Sequence, residues 1–332
     1  MAHGRVTLAQ VAESIGVSVG TVSKALNGRG QLSDETRRRV LDAATELGFE
    51  PSHDARAQAE GRSFIVGVLS TDTYGRFTIP ILTGAEDTFG AGEISMLLAE
   101  SRDDPIRERH YIQTLRSRNV DGIIVAGRSS DTRASITSLL GVPAVYALSP
   151  SEDPADASVV PDDAGGAARA IEHLVGTGRR RIAVVVGPRR HTASNHRVEG
   201  ATRALRELGA ELAGGEVLYG EWTERWGYEA ARRLLETTTF DGVFCANDQI
   251  ARGVLECLRE SGVAAPDAVG VVGVDNWDVI VEAARPSITS VDLNLRAVGR
   301  RAAELLVRMI GGETVPGGVE LVDCILVPRL ST

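Results

Sequence analysis

The stretch VTLAQVAESIGVSVGTVSKALN, from Val6 to Asn27, reads as two short helices around a sharp turn. Leu8, Val11, Ala12 and Ile15 recur at helical spacing and give the first helix one apolar face. Thr7 stands where an N-cap belongs, Gly16 ends the helix and Val17 plugs the turn. Ser18 caps a second helix whose inward side is Val22, Ala25 and Leu26; Val19, Gly20, Ser23 and Lys24 face away. Two helices joined steeply by a turn of three or four residues form a helix-turn-helix, whose second helix fits a DNA major groove. A helical hairpin within a larger core is the structural alternative.

A third helix follows, capped by Ser33, carrying Asp34 and Glu35 in its first turn and ended by Gly48. Its stripe is read as Val40, Leu41, Ala44 and Leu47. With Leu8, Val11, Ile15, Val22 and Leu26 it closes a mini-core too small to be more than marginal alone. The stretch FEPSHDARAQAEGRS then joins this head to the body, with Pro51 as a breaker and room for only a turn or two of helix.

The chain has 332 residues, enough for two or three domains, and 43% of it is hydrophobic. No apolar run approaches the roughly 18 residues of a membrane span, and the N-terminus has no apolar signal core, so a cytoplasmic protein is expected. Cys245, Cys257 and Cys324 lack metal-ligand spacing and read as small buried hydrophobes. The net charge of −9 sits oddly with DNA binding until the chain is divided. Residues 1–62 hold 8 of the 36 basic and 8 of the 45 acidic residues, so the head is neutral and the body carries all the excess. A neutral head suits oriented phosphate contact rather than indiscriminate binding.

From Phe64 onward, buried strands (64–70, 93–100, 121–126, 142–148, 181–187, 241–247, 269–275) alternate with amphipathic helices, as in parallel sheets covered on both faces. Two such series imply two α/β lobes with strand ends around a shared cleft. ITSVDLN and the helix 295–310 read as crossing back to the first lobe. The expected division is a helix-turn-helix domain 1–50, a hinge 51–62, and an effector-binding and dimerisation body 63–332. Within the body, one lobe takes 63–160 and 291–320, the other 161–290 and 321–332.

No phosphate loop, GxGxxG after the first strand, GxSxG or catalytic pair occurs, and the histidines read as surface or capping residues. No enzyme activity, cofactor or metal is expected. Polar and aromatic groups instead fall at strand mouths: Asp72, Thr73 and Phe77; Asp162 and Asp163; Arg197; Trp222; Asn247, Asp248 and Asp275. A ring with Arg, Asn and Asp offers a polyol a stacking face and bidentate hydrogen bonds. Each also has a structural role open to it: Trp222 in core packing, Asp248 as a cap, Asp275 in a turn. Trp226 reads as core.

The segments TLAQVAESIGVSVGTVSKALNG, LSDETRRRVLDAATELGFEPS, DGIIV, GGAARAIEHLVGTGRRRIAVVVGP, FCANDQIARGVLECLRESG and VVGVDNWD…PSITSVD together resemble the lactose-repressor (LacI/GalR) family along essentially the whole chain. The resemblance implies a homodimer whose heads read a palindromic operator and whose periplasmic-binding-protein-like body takes a small effector, expected to be a sugar. It places effector contacts at Phe77, Arg197, Trp222, Asn247 and Asp275, beside Asp72 and Asp163 from the strand-mouth reading. DNA contacts are expected from Thr7, Ser18, Val19, Gly20, Thr21, Ser23, Lys24 and Asn27, and from Arg56 and Gln58 in the hinge.

This chain departs from the family pattern in ways that matter. Gly20 offers no side chain, shifting readout toward Thr21, Lys24 and main-chain approach, with Val19 able to touch a thymine methyl. Lys24 replaces the commoner Arg and is a less rigid guanine reader. Gln58 stands where the family has a leucine wedge for the minor groove, implying weaker kinking or a polar contact. Thr78 replaces a second aromatic. Alternatives left open by the sequence are a solute-binding protein or sugar enzyme on the same body, and a regulator that the small molecule strengthens rather than releases.

Overall fold

The computed structural model describes residues 6–26, 32–49, 62–73, 75–90 and 93–332, in two compact units divided after Phe64. In the first unit, α1 (Leu8–Ile15), α2 (Val19–Leu26) and α3 (Asp34–Glu46) surround a small core. Thr7 makes a capping box with Gln10, and Gly16 takes a left-handed φ of 71° that ends α1. Ser18 Oγ accepts the Thr21 N–H at 3.1 Å and Ser33 Oγ that of Thr36 at 3.2 Å, so each hydroxyl satisfies an otherwise orphan donor. Val11, Val22 and Val40 are fully buried at the centre. The α3 stripe differs from the expected one. Ala43 is buried beside Val40 and Ala44, whereas Leu41 is 44% and Leu47 40% exposed. A helix covering one side of so small a core buries only a narrow i, i+3, i+4 stripe, and the residues on its flanks stay wet.

The second unit contains two sheets. Strands β1 (Ile65–Ser70), β2 (Ser95–Glu100), β3 (Gly122–Ala126), β4 (Ala144–Ala147) and β5 (Ala157–Pro161) belong to the first. Helices α4 (Thr78–Phe89), α5 (Pro105–Ser117) and α6 (Thr137–Leu140) connect them. The chain then passes into α7 (Asp163–Gly176), β6 (Arg181–Val186), α8 (Thr192–Glu207), β7 (Glu211–Leu212), β8 (Leu218–Tyr219) and α9 (Glu224–Thr237). It continues through β9 (Gly242–Cys245), α10 (Asp248–Glu260), β10 (Gly270–Val274), α11 (Asp278–Val281) and β11 (Thr289–Asp292). Helix α12 (Leu295–Ile310), β12 (Gly318–Val322) and β13 (Ile325–Val327) complete it.

The first sheet runs β12-β5-β4-β3-β1-β2 and is parallel throughout. The second runs β13-β11-β10-β9-β6-β7 with β8 beside β6, and only β13 is antiparallel. Strands β1, β3, β4, β5, β6, β9 and β10 are buried almost end to end, as continuous Val/Ile/Ala runs covered on both faces must be.

The chain changes sheet at 161–163, at 292–295 and at 322–325. Most of ITSVDLN does not yet cross as expected: Thr289–Val291 pairs with β10 in the second sheet, and the crossing starts only at 292–295, leading into α12. A buried strand and the loop after it look alike in either lobe, so hydropathy could not place the switch. Helix α12 packs on α4 at backbone distance. A Cβ on Gly84 would collide with the Arg296 carbonyl, and one on Gly299 with that of Ile81. Among the described residues, no helix is long and apolar enough to cross a membrane.

Candidate functional site

In the head, the outer face of α2 presents Val19 (47% exposed), Gly20 and Lys24, with Thr21 and Ser23 half-buried at its flanks. A Cβ at Gly20 would meet nothing closer than Ser18 Oγ at 3.7 Å, so no packing demand explains the glycine. The hydroxyls of Thr7 and Ser18 are engaged in capping. Asn27, Arg56 and Gln58 lie outside the described residues.

In the body, loops at the carboxyl ends of both sheets converge on a cavity of 290 Å³. Phe77, Arg197, Trp222, Asn247 and Asp275 of the expected set line it, joined by Arg76, Asp131, His191 and Gln249 among others. Asp72 and Asp163 do not. The buried Asp72 carboxylate accepts the N–H groups of Phe77 at 2.7 Å and Thr78 at 3.0 Å, starting α4 and fixing where Phe77 stands. Asp162 caps α7 through the Gly165 N–H. Asp163 lies behind the cavity wall, its Oδ1 2.8 Å from Arg197 Nε and its Oδ2 accepting from Ser130 Oγ at 2.7 Å.

Arg197 is 5% exposed. Its guanidinium also donates to the Ala246 carbonyl, lies 4.0 Å from Asp275 Oδ1, and sits 5.9 Å from the Trp222 ring centroid. Burial works against this charge, but Asp163 and Asp275 overcome it and hold the Arg197 pKa above its ordinary value. Trp222 reaches the cavity because Gly187, just past β6, has no side chain: a Cβ there would strike the indole. Trp226 turns the other way, donating its indole N–H to the Val186 carbonyl at 3.0 Å from the edge of the second core.

Asp275 ends β10 with φ 102°, a left-handed backbone that costs a non-glycine residue of order 1–3 kcal/mol. Its Oδ2 pairs with Arg76, whose guanidinium stacks 4.8 Å from the Phe77 and 4.3 Å from the Trp277 ring centroids. Burial raises the Asp275 pKa, and Arg76 and Arg197 partly offset it. Asn247, rather than Asp248, caps α10: its Oδ1 accepts the Ile250 N–H at 2.8 Å. Asp248 is wholly buried, accepting from Ser290 Oγ at 2.6 Å and the Trp277 N–H at 2.8 Å. Burial, then the nearby Asp275 charge, pushes its pKa up to about 8.

Sequence reasoning missed Arg76, Asp131 and His191. Asp131 reaches from the first sheet's side to His191 Nδ1 and the Thr192 N–H, both at 2.7 Å. His191 was expected at the surface or capping a helix. It occupies the N-cap position of α8 without a capping bond and lines the cavity, 6.2 Å from the Trp222 centroid. The signal was available, because each of the three follows a strand, as the chosen candidates do. The three cysteines are buried and unpaired, and no cluster among the described residues could hold a metal ion.

Residues 7–52 match the pattern of "Bacterial regulatory proteins, lacI family", and residues 171–332 that of a "Periplasmic binding protein-like domain". The HTH-type transcriptional regulator CelR of Thermobifida fusca is 35% identical over 319 residues, 93% of each chain. The chain belongs to the lacI family of bacterial regulatory proteins. It is a DNA-binding transcription regulator. Catabolite control protein A of Priestia megaterium is another relative of this lacI-family regulator, 30% identical over 95% of each chain. Among solved structures, a transcriptional regulator CelR-cellobiose complex shares 32% identity, covering 99% of this chain and 100% of that one, with a TM-score of 0.67. The Lac repressor dimer bound to operator and the anti-inducer ONPF, 24% identical over 99% of both chains, has the same fold with a TM-score of 0.74.

Proposed function

We propose that this regulator binds a palindromic operator as a homodimer in the cytoplasm and is released when a sugar occupies the cavity between its two sheets. The observation that carries the reading is the cavity itself. An aromatic face, Trp222, stands beside a fully paired Arg197, with Phe77, Asn247 and Asp275 around it. That is the pairing of stacking surface and fixed polar groups that a polyhydroxylated ring needs. The cellobiose held in the CelR complex agrees with it.

On this reading residues 1–50 are the DNA-binding domain, 51–62 the hinge and 63–332 the effector-binding and dimerisation body. Thr21, Ser23, Lys24 and Asn27 face bases or backbone together with Val19 and Gly20. The α1 and α2 N-termini, at Thr7 and Ser18, hold phosphates. Arg56 and Gln58 reach the minor groove from the hinge. Effector binding favours one arrangement of the two lobes, and coupling of about 1–3 kcal/mol changes operator affinity roughly 5- to 150-fold. The work is binding and release, with no catalytic step. Fluorescence anisotropy of a labelled fragment from upstream of its own gene, titrated with protein and then with saccharides, tests this directly. Tight palindrome-specific binding that no sugar alters removes the sugar from the account; binding strengthened by sugar reverses the sign.

A further inference from the structure

Arg76 stands outside the effector contacts expected from the sequence, yet three groups hold it in place. Its guanidinium lies 4.8 Å from the ring centroid of Phe77 on its own lobe and 4.3 Å from that of Trp277 on the other, and it pairs with Asp275 Oδ2. A planar cation set against two rings and a carboxylate has little freedom to turn. The Asp275 end is as firmly built. The Asp275 N–H donates to the Val291 carbonyl at 2.8 Å, the Asn276 N–H to Ser290 Oγ at 3.0 Å, and the Trp277 N–H to Asp248 Oδ2 at 2.8 Å. With both ends fixed, Arg76 decides which way the carboxylate faces. Oδ2 is taken, while Oδ1 is left 4.0 Å from Arg197, beyond hydrogen-bond reach. Asp275 lines the cavity, so Oδ1 is the oxygen offered to a ligand's hydroxyl.

Charge balance gives Arg76 a second hold on the same group. The carboxylates of Asp163, Asp248 and Asp275 and the guanidiniums of Arg76 and Arg197 act on one another here, from the start of α7, the start of α10, the end of β10, the turn before α4 and the first half of α8. Asp248, pushed up to about 8, keeps its proton at neutral pH and leaves two anions for two cations. Burial raises the Asp275 pKa, and Arg76, ahead of Arg197, opposes it. Without Arg76 a single cation faces two buried anions, and protonating Asp275 relieves the excess. A protonated carboxyl no longer offers a charge-assisted acceptor.

We propose that Arg76 is a positioning residue for the effector, acting through Asp275, whose carboxylate it turns toward the cavity and keeps available as an acceptor. This rests on the effector reading above and adds a residue to it.

The test is calorimetric titration of the full chain with a panel of mono-, di- and trisaccharides, cellobiose first, repeated on variants with whichever sugar binds most tightly. Arg76→Met keeps length and ring contact but removes the charge. At pH 7 it should bind at least about tenfold more weakly, and its affinity should fall further as pH drops from 9 to 6, by up to about tenfold per unit and more steeply than that of the wild type. Arg76→Lys keeps the charge but not the planar fork, so its loss should be the same at every pH. In an Asp275→Asn background Arg76→Met should have no further effect, because the group it acts through is gone. Three results overturn the proposal and leave the effector reading standing. One is an Arg76→Met profile parallel to that of the wild type. Another is an Arg76→Met protein that binds sugar more tightly, which would make Arg76 a competitor of the ligand. The third is full additivity with Asp275→Asn, which would make Arg76 a direct contact. Binding of no saccharide ends both readings.

Discussion

Arg197 shows how one residue ties sequence to stability and to function. Removing its guanidinium leaves Asp163 buried without a counter-charge and Asp275 with Arg76 alone, so Arg197→Ala should cost about 3–5 kcal/mol of folding stability, read from denaturant midpoints. Arg197→Lys keeps the charge but not the fork that spans Asp163 and the Ala246 carbonyl. We expect the Lys variant to fold and bind operator as before while its sugar response is lost; an unchanged response would remove Arg197 from the effector contacts. Asp248 carries a pH signature. Its folded pKa of about 8 lies above the ordinary 3.8, so between those values the folded state holds a proton that the unfolded chain has released. Stability should therefore fall as pH rises from about 4 to about 8. Asp248→Asn can accept the Trp277 N–H and donate to Ser290 Oγ, so urea unfolding from pH 5 to 9 should show a flatter slope than the wild type. On α2, Lys24→Ala should relax base preference at one operator position, by about 1–3 kcal/mol of discrimination, in competition binding with single-base variants. Equal weakening on all sequences would make Lys24 a phosphate contact instead.

At the scale of elements, the helices of the head and strands β1, β2, β3, β4, β6, β9 and β10 of the body were legible because each announces itself locally. Caps at Thr7, Ser18 and Ser33, and unbroken runs such as RIAVVV, need no tertiary knowledge. Strands β5, β7, β8, β11, β12 and β13 were not legible: β5 and β11 are buried but only five and four residues long. Two of them are two residues long, and β12 is exposed along most of its length, so neither hydropathy nor period marks them. Five of the expected cavity residues line it because strand ends in parallel sheets are a topological address. Asp72 and Asp163 share that address but turn inward to brace Phe77 and Arg197, a distinction set by side-chain direction that spacing does not carry. The α4–α12 contact gives a prediction of the same kind. Gly299→Ala must push α12 away from the Ile81 carbonyl, and overpacking of this sort costs about 1–3 kcal/mol. The loss should appear in the denaturant midpoint of the body. An unchanged midpoint would mean that the two helices have slack to separate.

For the whole molecule, a few side chains bridge the two lobes across the cleft. Arg76 meets Asp275, Asp131 meets His191 and Thr192, and Ser130 meets Asp163. The first two join loops of the first sheet to the carboxyl ends of β10 and β6 in the second, the third joins one to the first residue of α7, and most of these residues line the cavity. A ligand seated there replaces or reinforces these bridges, so it stabilises one lobe arrangement by mass action alone. At a concentration one hundred times its dissociation constant, the stabilisation is about 2.7 kcal/mol, which for a body of this size is a rise in melting temperature of roughly 5 °C. Asp131→Ala removes a bridge without touching Arg197, Trp222 or the head. It should reduce both that rise and the sugar's effect on operator affinity, while operator binding without sugar changes little. Scanning calorimetry and anisotropy on the same preparations would settle the matter. If the melting shift shrinks but the operator response does not, closure of the cleft is not what the heads sense.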